Sequence, residues 1–146
     1  MEEIVAPLKR AFADTFAMYL KAHYYHWNVE GPDFYQYHEL FGSISSEVYG
    51  AVDPFAEEIR AQVAYAPGSF KRLAELATIA DEETVPSPLA MAEKLFSDNA
   101  LVLASLKEAR DVADKYGENG LVNFLEDRLD QHKKHAWFLR STIKRV

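Results

Sequence analysis

The sequence predicts an all-α protein, a bundle of four long helices in which one long crossover joins two helical hairpins. Apolar residues recur at helical spacing almost throughout, and no stretch shows the sustained alternation that is typical of strands. Glycine and proline interrupt this pattern at two short breaks and one long one. The 146 residues are close to the usual length of one domain, so residues 1–146 are interpreted as a single domain.

The first half of the chain predicts two long helices separated by a tight turn. The first is expected to run to about Asn28. A Gly-Pro pair at 31–32 ends it, and Asp33 is placed to cap a second helix that begins near Phe34. That second helix is expected to end before the Pro-Gly pair at 67–68. The apolar stripes of the two helices are Ile4, Leu8, Phe12, Phe16, Tyr19 and Leu20, then Phe41, Ile44, Val48, Val52, Phe55 and Ile59.

Residues 69–88 form a connection that is too long to lack structure of its own in a compact domain. A short extra helix within it is predicted by Phe70, Leu73, Leu76 and Ala77. Two prolines at 86 and 88 open a third long helix that is expected to stop at Gly117, and a fourth is expected over about 119–144. Two hairpins joined by one long crossover form the ferritin-like type of four-helix bundle.

Composition restricts the classes of function. Hydrophobic residues make up 49% of the chain, which is enough for a packed core. The absence of cysteine excludes disulfides, thiolate metal sites and cysteine nucleophiles, and it suits the reducing cytoplasm, where we expect the protein to reside. We expect no signal peptide and no membrane span. The net charge of −7 argues against bulk attraction to nucleic acid.

Four residues can supply metal chemistry: His26, His38, Asp53 and Glu57. Asp53 and Glu57 are four apart, so one helix face presents both carboxylates. Imidazole and carboxylate together suit a divalent first-row metal, iron included. Taken singly, each residue has a simpler interpretation: a hydrogen-bonded core histidine for His26 and a solvated helix face for the carboxylates.

Distance along the second helix separates the two kinds of ligand. On one continuous helix, His38 and Asp53 lie roughly 22 Å apart, so they cannot bind the same ion within one subunit. If the four residues form one site, the histidines come from one chain and the carboxylates from another. A two-fold interface with antiparallel second helices achieves this and creates two equivalent sites. A dimer is then the smallest unit that can do the chemistry.

The pattern around these residues resembles the Dps family, the DNA-binding proteins from starved cells. The resemblance covers nearly the whole chain. It rests on His-Trp-Asn-Val at 26–29, Gly-Pro at 31–32, Phe34, His-Glu at 38–39, Asp-x-x-Ala-Glu at 53–57, and, in the last helix, His132, Trp137 and Phe-Leu-Arg-Ser at 138–141.

The resemblance implies a hollow shell of twelve subunits that oxidises iron(II) with hydrogen peroxide, or more slowly with oxygen, and stores ferric mineral inside. It also implies that His26 and His38 bind iron from one subunit while Asp53 and Glu57 bind it from the partner. Trp27 adjoins the site in sequence and is a candidate electron donor when only one iron is oxidised. Further candidates, for which packing is the simpler interpretation, are Tyr24, Tyr25 and Tyr49.

Two positions depart from the family pattern. Gly42 stands where an acidic residue is common, and His23 stands where a lysine is common. Gly42 can weaken the second metal position, and the alternative function is then a metal-binding shell with weak or lost ferroxidase activity. Alternatively, His23, one turn from His26, supplies a substitute ligand and favours zinc or a histidine-richer iron site, although a surface or supporting role is the default. Pro54 predicts a kink in the second helix.

Two other family features are weak in this chain. Many Dps proteins bind DNA through a lysine-rich N-terminal tail, and the start Met-Glu-Glu carries none, so the sequence argues against DNA binding. Iron uptake in the family uses acidic pores near the start of the last helix. Candidates for such a pore, for which solvated surface is the simpler interpretation, are Glu118, Glu126, Asp127 and Asp130.

Competing interpretations are less consistent with the sequence. A larger ferritin or a rubrerythrin-like protein would carry Glu-x-x-His on two helices, and that motif does not occur. His132 and His135 are three residues apart but have no suitably placed carboxylate, so they are interpreted as interface or surface groups. A helical interaction module without metal would leave the joint spacing of the four ligands to coincidence.

Overall fold

The computed structural model describes residues 2–144, and over that range it consists of five α-helices. These are α1 (Glu2–Asn28), α2 (Phe34–Ala61), α3 (Phe70–Leu76), α4 (Pro88–Lys115) and α5 (Asn119–Ile143). The described residues contain no strand. The all-α, ferritin-like bundle with a short extra helix in its crossover is therefore confirmed. No helix among these residues combines the length and the apolar character needed to cross a membrane.

The predicted apolar stripes meet in one core. α1 packs against α2, α3 and α4, while α5 packs against α4 and contacts α2. Leu8, Phe41, Leu106 and Leu125, one from each long helix, are completely buried. Each such side chain contributes about 1.5–3 kcal/mol by leaving water. The core therefore fixes how the ends of α1 and α2, which carry the candidate ligands, face each other.

The start of α2 differs in detail from the prediction. Asp33 occupies the N-cap position, but its backbone is left-handed (φ 64°) and its side chain makes no capping hydrogen bond. The predicted side-chain cap is wrong, because a capping side chain reaches back from an extended backbone. The main chain closes the turn instead, with the Phe34 N–H donating to the Gly31 carbonyl at 3.1 Å. Ser69 and Ser87 do cap α3 and α4 with their hydroxyls.

A buried carboxylate on α1 holds the crossover in place. Asp14 is completely buried and accepts hydrogen bonds from the Thr78 N–H, the Thr78 hydroxyl and the Ile79 N–H. The Ser105 hydroxyl of α4 donates to the same carboxylate. A buried carboxylate is tolerated only when donors surround it, so these bonds fix the crossover against both helices.

A second polar anchor lies two turns further along α1. Lys21 donates to the Ala80 carbonyl of the crossover and forms a 2.8 Å ion pair with Asp98 of α4. Both side chains of the pair are about nine-tenths buried. Burial raises the pKa of Asp98, and the Lys21 ammonium only partly offsets this. The end of α1 that carries the candidate histidines is thus tied to its neighbours by both apolar and polar contacts.

Candidate metal centre

His26, in the last turn of α1, and His38, near the start of α2, lie face to face. Their ring centroids are 3.8 Å apart and their planes differ by 16°. His26 Nδ1 is 2.7 Å from the carbonyl oxygen of His38, and His38 Nδ1 is 2.7 Å from the carbonyl oxygen of His26. Because a carbonyl can only accept, both Nδ1 atoms carry a proton, so that in a neutral imidazole the lone pair is on Nε2.

The two reciprocal bonds have local causes. The carbonyl of His26 is among the last four of α1, which lack partners within the helix, and the His38 ring supplies the missing donor. The carbonyl of His38 lies inside α2 and accepts from the His26 ring with its second lone pair. Metal-binding histidines commonly donate their other ring N–H to a carbonyl, which fixes the tautomer. The hydrogen bonds of this pair are therefore of the kind that orients a metal-binding histidine.

His23 extends this group by one turn of α1. Its ring centroid lies 5.7 Å from that of His26 and 4.2 Å from that of Trp27, and its Nδ1 is 3.3 Å from the Tyr19 hydroxyl. Burial, and then the proximity of His26, lower the pKa of His23. The neutral imidazole, which is the form that can bind a metal, is therefore favoured near neutral pH.

A cavity of about 560 Å³ opens beside His26. It is lined by residues of α1 and α2: Tyr19, His23, His26, Glu39, Gly42, Ser43, Ser45, Ser46 and Tyr49. The sequence analysis assigned Tyr19 only to the apolar stripe of the first helix, although its position one helical turn before His23 indicates that it is close to the candidate site. Its ring packs 4.8 Å from that of Tyr49.

Two of the tyrosines considered as electron donors bind the crossover instead. The Tyr24 hydroxyl donates to the Thr84 carbonyl, and the buried Tyr25 donates to the Glu82 carboxylate. These contacts agree with the packing interpretation of both residues. Tyr49, by contrast, lines the cavity next to His26.

Asp53 and Glu57 are both exposed on α2. Neither makes a hydrogen bond or an ion pair within residues 2–144. α2 runs unbroken through Pro54, so the rise of a helix places His38 and Asp53 roughly 22 Å apart, as the distance argument assumed. Within the described part of a single chain, no three histidine or acidic side chains are grouped so that they could hold a metal ion. The kink at Pro54 stays a prediction.

The interpretation of His132 and His135 as interface or surface groups is wrong. His132 is completely buried and His135 is 7% exposed. Asn99 donates to the His132 carbonyl and accepts from His132 Nδ1, both at 2.8 Å. Arg128 contacts His132 Nε2 at 3.2 Å. Burial, followed by the nearby Arg128 charge, lowers the pKa of His132 well below its usual value.

The same network reaches across to α2 through Glu47. Arg128 donates two hydrogen bonds to the Glu47 carboxylate, at 2.6 and 3.0 Å, and His135 Nε2 lies 2.7 Å from it. Burial opposes the ionisation of Glu47, but the bonds from His135 and Arg128 outweigh it and lower the pKa to about 2. The partners of these histidines lie on three different helices, which is why the sequence alone placed them on the surface.

The candidate pore residues differ in their surroundings. Glu126 is 3.2 Å from Arg110, and Asp130 is 3.3 Å from Lys134, so local cations balance both carboxylates. Glu118 occupies the N-cap position of α5 without a side-chain cap. Asp127 is exposed. Their role in iron uptake stays a prediction.

Comparison with known proteins agrees with this architecture. A family model for ferritin-like domains matches residues 5–146. A DNA protection during starvation protein of Brevibacillus brevis is 29% identical over 145 residues, which are 99% of this chain and 97% of that protein. Antigen TpF1 of Treponema pallidum is 30% identical over 97% of this chain and 80% of its own length. The structure of Dps from Thermosynechococcus elongatus has a TM-score of 0.95 at 26% identity, covering 99% of this chain and 92% of that one.

The chain therefore belongs to the family of ferritin-like domains and, within that family, to the Dps proteins. Membership supports a role in iron storage and in protection against oxidative stress. The bundle supplies the scaffold for such a role and holds the rings of His26 and His38 face to face through two reciprocal hydrogen bonds.

Proposed function

We propose that the protein is a ferroxidase that oxidises iron(II) at sites shared between two subunits and stores ferric iron inside a hollow shell. The observation that carries this proposal is the reciprocal pairing of His26 and His38. Each ring donates its Nδ1–H to the other residue's carbonyl, which leaves Nε2 of each ring as the nitrogen that would bind the metal. Iron is the substrate of this reaction.

The carboxylates complete the site from a second subunit. Asp53 and Glu57 are exposed and unpaired in the described residues of one chain, and they lie too far along α2 to join His38. Antiparallel packing of two α2 helices about a two-fold axis brings each carboxylate pair to the partner's histidines. Two carboxylates also balance the charge of one divalent ion. We propose a dimer as the smallest active unit and a cytoplasmic twelve-subunit shell as the assembly.

Hydrogen peroxide, with oxygen as a slower alternative, is the proposed oxidant. Two iron(II) ions each give one electron to one peroxide, which takes up two protons and leaves two iron(III) ions and two water molecules. When a single iron is bound, one electron must come from the protein. Trp27 is the proposed donor, because its ring packs on His23, which in turn contacts His26.

A second ligand arrangement is supported by the position of His23. Its ring borders the same cavity as His26, and its lowered pKa favours the neutral form. If Nδ1 donates to the Tyr19 hydroxyl, Nε2 is free to bind a metal, as in the two histidines beside it. Since no three histidine or acidic side chains are grouped for a metal ion within the described residues of one chain, His23 would take part only together with ligands of a second subunit, where an added imidazole would favour zinc as a competitor of iron. The net charge of −7 argues against DNA binding as part of this function.

Anaerobic titration of apo-protein with iron(II), followed by hydrogen peroxide, tests the proposal through the rise of ferric absorbance. The wild type should exceed the protein-free rate, and His26→Ala and Asp53→Ala should each lose about tenfold or more of the added rate. Glu83→Ala, which removes an exposed carboxylate on the crossover, is the matched control and should keep the rate. A wild-type rate equal to that of buffer would remove the ferroxidase function and favour the metal-binding shell instead.

A further inference from the structure

Gly42 lies directly against the imidazole of His26. A methyl group at position 42 would stand 2.7 Å from His26 Nδ1 and 2.8 Å from its Cε1. These separations are well inside the 3.5–4.0 Å at which non-bonded carbon atoms make their best contacts. The observed orientation of His26 is therefore incompatible with a side chain at position 42.

The helix geometry of α2 explains why this position is the sensitive one. In an α-helix the N–H of residue 42 bonds to the carbonyl of residue 38, so a side chain at 42 would rise beside that carbonyl. His26 Nδ1 reaches the same carbonyl oxygen, at 2.7 Å. Only a residue without a Cβ leaves the approach to this carbonyl open.

The crowding is specific to position 42. Gly50, the other glycine within α2, has no atom within 4 Å of the place where its Cβ would lie. Glycine weakens any helix interior. At position 42, however, the missing side chain makes room for the hydrogen bond from His26 Nδ1 to the His38 carbonyl. The two glycines of one helix thus form a natural pair of test and control.

We propose that Gly42 is a positioning residue for His26, an inference that rests on the proposed function. By leaving the His38 carbonyl open, it lets His26 donate its Nδ1–H to that carbonyl, which fixes the ring and leaves Nε2 as the ring nitrogen available to a metal. An acidic side chain at position 42, as is common in the family, would require His26 to leave the orientation observed here and to give up its bond to the His38 carbonyl. On this proposal, Gly42 does not merely lack the family's carboxylate, because its missing side chain leaves the space that the His26 ring occupies.

The first experiment measures cobalt(II) binding to the assembled apo-protein by its visible absorbance, since cobalt reports binding without being oxidised by the assay. Gly42→Ala and Gly42→Asp should each weaken binding by about tenfold or more, the usual effect of disturbing the hydrogen bond that orients a metal-binding histidine. Gly50→Ala should bind as the wild type does. Equal affinity of Gly42→Ala and the wild type would overturn the inference, and so would tighter binding by Gly42→Asp.

Thermal unfolding of the metal-free variants tests the steric cause. Alanine is the better helix former, so Gly50→Ala should raise Tm. Gly42→Ala should lower Tm when His26 is present and raise it in a His26→Ala background, because removing the ring removes the clash. The same sign in both backgrounds would contradict a contact with His26.

The two proposals fail in different ways. A wild type that binds cobalt(II) but does not accelerate iron oxidation loses the ferroxidase function, while the role of Gly42 is still decided by its own variants. A wild type that oxidises iron, with a Gly42→Ala variant that binds and oxidises equally well, keeps the function and loses the inference. A wild type that does not bind cobalt(II) overturns the inference, because His26 would then not be a ligand.

Discussion

Mixed assemblies of two inactive variants should recover activity if each site draws on two subunits. One variant lacks the imidazoles (His26→Ala with His38→Ala), and the other lacks the carboxylates (Asp53→Ala with Glu57→Ala). α2 is one unbroken helix, so His38 and Asp53 of one chain are separated by roughly 22 Å and belong to different sites. Each variant alone has no complete site, whereas a mixed dimer has one complete site out of two.

The size of the recovery follows from chance pairing. At equal amounts, half of the positions that donate histidines and half of those that donate carboxylates are intact, so about a quarter of all sites are complete. The assay is the initial rate of peroxide-driven ferric absorbance in assemblies purified through a different tag on each variant, with size checked by light scattering. Mixed assemblies no faster than either parent would refute the shared site.

Three further predictions concern stability. Lys21→Met leaves Asp98 buried without its 2.8 Å ion pair and should cost about 3–5 kcal/mol at pH 7, less in acid as Asp98 becomes protonated. Stability should fall as the pH drops below about 6.5, because buried His132 resists protonation that the unfolded chain accepts, and further from about 4.5 towards 2 as Glu47 loses its charge. Val63→Gly should raise stability by up to about 1 kcal/mol, since this exposed β-branched residue has φ 61°.

Urea unfolding of the metal-free protein at several pH values measures all three effects. The double variant Lys21→Met with Asp98→Leu should recover much of the loss, because it removes the unpaired charge. A loss that is the same at pH 7 and pH 4 would contradict the account of Lys21. A stability that stays flat between pH 7 and pH 5 would contradict the account of His132. Val63→Ile keeps the branched side chain and should give no gain, while a less stable Val63→Gly would show that strain is not the dominant effect.

The sequence predicted the elements of this fold well because their signals are local. Apolar periodicity and the glycine and proline breaks set the helix bounds, and the length of the crossover required the extra helix that α3 provides. The predicted side-chain cap at Asp33 is wrong because the backbone of this residue is left-handed, a conformation that helical periodicity does not encode. Local sequence signals therefore predict where the helices lie but not every contact at the helix ends.

The candidate site was only partly predictable for the same reason. Residue type, spacing and the family resemblance singled out His26 and His38 as candidate ligands, yet the reciprocal bonds between them depend on how α1 meets α2. His132 looked like surface because its partner Asn99 is 33 residues away in the chain. From the sequence, Gly42 was interpreted only as a missing carboxylate. The space that this glycine leaves for the His26 ring is visible only in the structure.

The buried network around Glu47 has a consequence for both metal sites of the proposed dimer. α2 gives His38 to one site and Asp53 to the other, so its orientation sets the geometry of both. Glu47 lies between these two segments and is held by two hydrogen bonds from Arg128 and one from His135, both on α5. Burying the Arg128 guanidinium, whose side chain is only 5% exposed, costs free energy that apolar packing would not. In return, the hydrogen bonds from Arg128 and His135 to Glu47 are directional and hold α2 in one rotation about its axis. The proposed dimer requires such a fixed rotation, because each α2 helix carries ligands of two sites.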